Sequence, residues 1–201
     1  MAESATEPHP VRRALELAPA AELLGAYCFV ERRLFELTGA WSVDADPPRV
    51  AVHLDQVSQQ HAWHAELWAE RLPVLAGIEP ASLIRPLGAT LGPVLDALAV
   101  ADTPVERLAG LYRCVLPRLL TSYGRHLRRA VPATDAPVMR ALRLVRTDEL
   151  ASWQVGEAQL EALIDTVGGA ELAAATVGRL EATLATGGPG VGLVPWPGQR
   201  A

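Results

Sequence analysis

VAVHLDQVSQQHAWHAELWAERLPVL, residues 50–75, decides the architecture. Read at helical spacing, one stripe carries Val50, Leu54, Val57, His61, His64, Trp68, Leu72 and Leu75, while Asp55, Gln59, Ala62, Glu66 and Glu70 fall on the opposite side. His61 and His64 therefore point inward from an amphipathic helix. A buried imidazole must find a partner or lose its charge, so two of them one turn apart in an apolar stripe imply a polar site inside a helical core.

The flanking sequence supplies more helices of the same kind. Upstream, residues 19–38 carry an inward stripe of Leu24, Tyr27, Glu31, Leu34 and Thr38, and Gly39 with the cluster from Asp44 to Pro48 is expected to end that helix. Pro47 and Pro48 suit the start of the histidine helix, which makes the two a hairpin. Residues 76–103 are broken by Gly77, Pro80, Pro86, Gly88, Gly92 and Pro93, as befits a long crossover with a short helix near Val94 to Val100.

A third helix is expected from Pro104 to about Ala130. It opens on the capping-box spacing of Thr103 and Glu106, and Pro117 should kink it. After a turn from Pro132 to Pro137, a fourth helix from about Ala136 to Ile164 turns Val138, Leu142, Val145, Glu149, Ser152, Gly156 and Leu160 inward. A short alanine-rich helix, about Ala170 to Thr186, follows. The expected organisation is an N-terminal flexible segment (1–18), one helical domain (19–186), and a flexible Gly/Pro-rich tail (187–201) unless Trp196 docks.

Composition narrows the function classes. The chain has 201 residues, half of them hydrophobic, enough for one substantial core. A net charge of −5 with scattered arginines lacks the basic stripe of a nucleic-acid binder. Cys28 and Cys114 form neither a disulfide framework nor a zinc knuckle. The acidic, polar start and the lack of an apolar run of about 20 residues lead to the expectation of a cytoplasmic chain with no membrane partner. The lack of lysine and asparagine, with abundant Ala, Arg, Gly and Pro, resembles the codon bias of a high-GC bacterium.

Glu31 is the one carboxylate in the first helix's stripe. It lies 15 residues before Asp46, and His61 lies 15 after it, so at roughly 1.5 Å per residue the two reach the same height. Glu149, with Asp148 beside it, arrives at similar depth on the fourth helix; of the two, Glu149 is expected to face in. The matching position on the third helix is Leu119, which leaves that quarter without a ligand. His126 should lie about 10 Å from this level, His53 reads as an edge residue, and Tyr112 as a core tyrosine.

Hairpin, crossover and hairpin, with inward carboxylates and histidines at mid-helix, resemble the ferritin-like superfamily over about residues 19–164: an all-α, ferritin-like four-helix bundle, here with a short C-terminal helix. Its di-iron members carry Glu on the first and third helices and Glu-x-x-His on the second and fourth. Glu31 matches the first. His61-Ala62-Trp63-His64 resembles the second with histidine replacing its glutamate, and Asp148-Glu149-Leu150-Ala151-Ser152-Trp153 resembles the fourth with serine at the histidine. The third-helix glutamate has no counterpart.

The resemblance implies an altered site of Glu31, His61, His64 and Glu149, acting as metal ligands and catalytic groups. Two imidazoles and one or two carboxylates suit a single non-haem iron, with zinc or manganese as alternatives. The implied function is oxidation of a small organic molecule in specialised metabolism, with a homodimer compatible with such bundles. The alternatives are a metal-free acid/base site, a non-catalytic structural or partner-binding protein, which an exposed apolar face on the last helix (Leu172, Val177, Leu180, Leu184) would support although that helix can equally cap the core, and a DinB-like metal-dependent thiol transferase or isomerase, in which His126 should matter.

Overall fold

In the computed structural model, which describes residues 14–74, 76–165, 168–187 and 192–197, the chain is all-α, with no strand among those residues. Its helices are α1 (Leu17–Ser42), α2 (Pro48–Ala69), α3 (Leu91–Ala99), α4 (Pro104–Ala109), α5 (Leu116–Arg129), α6 (Pro132–Ile164) and α7 (Gly169–Ala185). A π-helical stretch, Gly110–Val115, joins α4 to α5 in one rod, and a 3₁₀ turn, Pro80–Leu83, lies in the crossover. No helix among the described residues is long and apolar enough to cross a membrane. Residues 1–13, 188–191 and 198–201, where parts of the expected N-terminal segment and tail fall, lie outside the described residues, as does Leu75.

Helices α1 and α2 share the most extensive interface, as a hairpin turning at residues 43–47 demands. Gly39 does not end α1, which runs on to Ser42. A Cβ at Gly39 would lie 2.8 Å from Ser58 Oγ, so this glycine serves the close approach of α2. Helix α2 starts on Pro48 as the sequence implies, yet it stops at Ala69, short of residue 75. Pro73 is the cause: it cannot donate into a helix and pushes Leu72 toward extended backbone.

The Thr103–Glu106 capping box is formed. Ahead of Pro117, which has no N–H to donate, stands the π-helical stretch, and the Tyr112 carbonyl within it accepts the Trp153 indole N–H at 2.8 Å. Helix α6 begins at Pro132 rather than near Ala136, because Pro132 fits the first helical position and the Asp135 carboxylate accepts the Val131 N–H at 2.7 Å. What reads as a turn is thus the helix's first turn. Helix α7 packs on α3, α4 and the π-helical stretch, burying Ala173, Thr176 and Leu180. Of its apolar face, Leu180 and Leu184 are buried and Val177 packs against the core, while Leu172 is half-buried.

Candidate metal centre

Three helices bring four ligand-type side chains together. Glu31 from α1, His61 and His64 from α2, and Glu149 from α6 are each at most 1% exposed, and each offers one ligand atom within 4.8 Å of the others. His61 Nδ1 lies 2.6 Å from Glu31 Oε2 and 3.2 Å from Glu149 Oε1. His64 Nδ1 lies 3.0 Å from Glu149 Oε1 and 3.6 Å from Glu31 Oε2. Both imidazoles thus turn the same nitrogen toward the same two carboxylate oxygens. The convergence follows from the i, i+3 spacing of the histidines on one face of α2 and from the equal distances of Glu31 and His61 from their hairpin turn.

Glu149 faces the cluster, and its neighbour Asp148 lies at the rim with a side chain 36% exposed, its Oδ2 3.3 Å from His64 Nε2. Asp148 therefore holds the outer nitrogen of His64 and fixes which way the ring points. Two polar atoms inside the cluster are buried without a partner among the described residues: His61 Nε2 and Glu149 Oε2.

The electrostatics run against burial. Burial alone would raise the Glu31 carboxyl, but the charge of His64 and the bonds from both histidines together outweigh it and hold the group at about 2. Burial would likewise strip the histidines of their protons. The Glu149 and Glu31 carboxylates reverse this, lifting His61 to about 9 and His64 to about 10. Both imidazoles are therefore favoured in their charged form at neutral pH.

The third-helix quarter, left without a ligand by the sequence argument, is filled by Tyr123. Its hydroxyl donates to Glu31 Oε1 at 2.5 Å, and burial and Glu31 push its own ionisation well above the usual tyrosine range. Position 123 is one turn too low if heights are compared at Cα. Helical side chains lean toward the N-terminus, however, and a tyrosine is long enough to bring its hydroxyl level with Leu119. That lean, applied to each long polar side chain on the inward stripe, is the signal that could have found it.

Other residues sort themselves around the centre. Ser152, one turn beyond Glu149 on the inward stripe of α6, donates to Gln60 Oε1 at 2.7 Å. His53 is not an edge residue: it is 5% exposed, with Nε2 2.7 Å from the Tyr112 hydroxyl. Tyr112 comes from the π-helical stretch and packs against Gly156, where a Cβ would sit 2.1 Å from its ring. His126 stands apart from the cluster, beyond Tyr27 and next to Trp196. A three-histidine site of the DinB-like kind is therefore not assembled from His61, His64 and His126.

Fold and site together define an all-helical protein with a buried carboxylate–histidine cluster able to hold a metal ion. Family models, curated proteins and solved structures include no match to this chain.

Proposed function

We propose that the chain is a ferritin-like, metal-dependent enzyme that oxidises a small organic molecule at one ion held by Glu31, His61, His64 and Glu149. One observation carries the reading: two imidazole nitrogens and two carboxylate oxygens converge in a dry core, all within 4.8 Å. The donor set fits. Two histidines with one or two carboxylates suit non-haem iron(II), and also zinc or manganese. The partnerless Glu149 Oε2 is the kind of buried acceptor that a cation satisfies.

When bound, such an ion supplies the Lewis acidity or one-electron chemistry that no side chain in the cluster has. The chain's own groups do the rest. Asp148 orients His64 through its outer nitrogen, and the Tyr123 hydroxyl fixes one oxygen of Glu31 so that the other faces the histidines. Tyr27 and Trp68, both buried, pack against the Tyr123 ring behind Glu31. The net charge of −5 disfavours a large nucleic-acid substrate, which leaves a small molecule as the better match.

A second reading has its own observation. The 2.6 Å His61–Glu31 and 3.0 Å His64–Glu149 contacts pair the cluster's groups with one another, as in a metal-free acid/base site or a polar core, with His61 Nε2 and Glu149 Oε2 left over. Metal content separates the two. Protein grown with iron and zinc, then reloaded anaerobically with ferrous iron, should hold about one ion per chain, lost in His61→Ala and His64→Ala. No ion under any loading would overturn the metal reading and leave the closed cluster.

A further inference from the structure

Around the turn between α5 and α6 the chain's charge reverses sign. Residues 119–147 hold six arginines and one acid, Asp135, so this stretch is +5 in a chain whose net charge is −5, and the rest of the chain is −10. The turn end of the hairpin is a positive face on an otherwise acidic molecule. Outside the stretch the arginines are matched: Arg33, Arg107, Arg113, Arg118 and Arg179 each face a carboxylate. Arg128, Arg140, Arg143 and Arg146 face none among the described residues. Asp135 is engaged locally, accepting the Val131 N–H at 2.7 Å and the Thr134 hydroxyl at 3.0 Å.

The other two arginines of the stretch hold the end of the chain. Gly192, at φ +101° and with no room for a Cβ beside Ser122 Oγ, lets the last described residues return to α5. There the Val194 N–H donates to Ser122 Oγ at 3.0 Å, Arg125 donates to Val194 O at 2.8 Å, and the Arg129 guanidinium lies 4.8 Å above the Trp196 indole.

The remaining four stand close together without a counter-charge. A Cβ at Gly124 would lie 3.3 Å from Arg128 Nη1 and 3.9 Å from Arg146 Nε, so side chains from both helices lean over the same bare backbone. Arg146 Nε is buried with no hydrogen-bond partner among the described residues. Arg140, Arg143 and Arg146 follow one another three residues apart, which makes each like charge a neighbour of the next. Cations in the last turn of α5 complement its carbonyl end, and that accounts for Arg128 and Arg129. It does not account for the α6 arginines, which stand in the first half of their helix. By the same spacing Leu150, 41% exposed, shares a face of α6 with Arg143 and Arg146.

We infer that this face docks an acidic segment of a partner protein, with Arg128 and Arg146 gripping one carboxylate above Gly124, Arg140 and Arg143 meeting neighbouring ones, and Leu150 making an apolar contact at the rim. The planar fork of arginine matches a carboxylate in two parallel hydrogen bonds. A nucleic-acid strand or an anionic membrane is a poorer match, because either extends past the patch onto the acidic remainder. A compact acidic segment avoids that repulsion, since screening confines it to about 8 Å at physiological salt. A single strand also needs open aromatic faces for its bases, and the nearby ring, Trp196, is already set between Arg129 and His126. Docking on this outer face does not depend on the metal reading.

The test titrates the full chain at low ionic strength with a fluorescent oligoglutamate peptide. Oligoglutamine serves as its uncharged counterpart, and a DNA oligonucleotide and phosphatidylserine vesicles as the other polyanions. Oligoglutamate should bind saturably and oligoglutamine should not, and added salt should weaken the binding steeply. Arg128→Gln/Arg146→Gln should weaken it by about tenfold or more. Arg49→Gln, at an exposed arginine near the start of α2, should leave it unchanged. The double variant removes two like charges, so its melting temperature should not fall, which separates lost binding from lost fold. The proposal is overturned if oligoglutamate does not bind saturably below about 1 mM, if DNA or vesicles bind more tightly than oligoglutamate, or if the double variant loses no more binding than Arg49→Gln.

Discussion

Raising the pH on the metal-free protein tests the cluster most directly. His61 and His64 are lifted to about 9 and about 10, whereas an unfolded histidine titrates near 6.5. The folded state therefore keeps two protons that the unfolded state gives up as pH rises through that window. The stabilisation is fully present below about 6.5 and is lost on the way up to 9 and 10. The steepest loss is about 1.4 kcal/mol per pH unit for each imidazole, or about 2.7 kcal/mol for the pair. On the acid side Glu31, held at about 2, contributes above about 4.5 and loses its contribution as pH falls toward 2. Urea denaturation of chelator-treated protein at half-unit steps from pH 6 to 9.5, against a His61→Gln/His64→Gln variant, isolates these protons from other titrating groups. NMR titration of the wild-type imidazoles reads them directly and does not need the variant to fold. A wild-type curve that is flat from pH 6.5 to 9, with imidazoles titrating near 6.5, would refute the ion-paired cluster.

Metal binding should displace the same protons: about two released per ion at pH 7, with the dissociation constant tightening by up to roughly 100-fold per pH unit below pH 9. Calorimetry in two buffers of different ionisation enthalpy counts them, and release of fewer than one would remove both histidines from the ligand set. Tyr123→Phe deletes the hydroxyl that donates to the buried Glu31 carboxylate and should cost about 1.5–3 kcal/mol in urea denaturation. A loss under about 0.5 kcal/mol would mean that Tyr123 does not hold Glu31. Gly156→Ala should destabilise by about 1–3 kcal/mol despite alanine's better helix propensity, because the new Cβ meets the Tyr112 ring at 2.1 Å. A thermal melt at or above wild type would contradict that packing.

The cluster was legible where it depended on helical period and hairpin symmetry. The inward pair His61 and His64 and the equal heights of Glu31 and His61 need only 3.6 residues per turn and one turn position. What escaped depends on side-chain reach or on a neighbour's shape. Tyr123 is found only when the lean of the side chain is added to the height of its Cα. His53 lies beside the inward stripe and is buried because the π-helical stretch delivers the Tyr112 hydroxyl to it, a local rewinding with no periodic signature. Gly39 reads as a stop because an isolated glycine gives the same sequence signal whether it ends a helix or admits a partner helix. The early end of α2 was readable, since Pro73 stands inside the stretch read as helix, but the apolar stripe running on to Leu75 outweighed it. The docked 192–197 segment depends on a single glycine meeting Ser122 across 70 residues of chain, a pairing that no local pattern encodes.

Tyr123 also decides how much charge the core can hold. A di-iron member of the ferritin-like superfamily balances two dications with carboxylates from all four helices. Here α5 contributes a hydroxyl that stays protonated and donates, so the fully buried carboxylates are two, Glu31 and Glu149, with Asp148 at the exposed rim. Two negative charges in a site at most 1% exposed match one dication; a second would leave about two positive charges unpaired in a dry core, at a cost of several kcal/mol for each. The same two charges match two imidazolium protons. One bound ion with neutral histidines, and no ion with charged ones, are electrically equivalent fillings of one cavity. The residues that make the centre fit a single metal are therefore also the ones that let it close in the metal's absence.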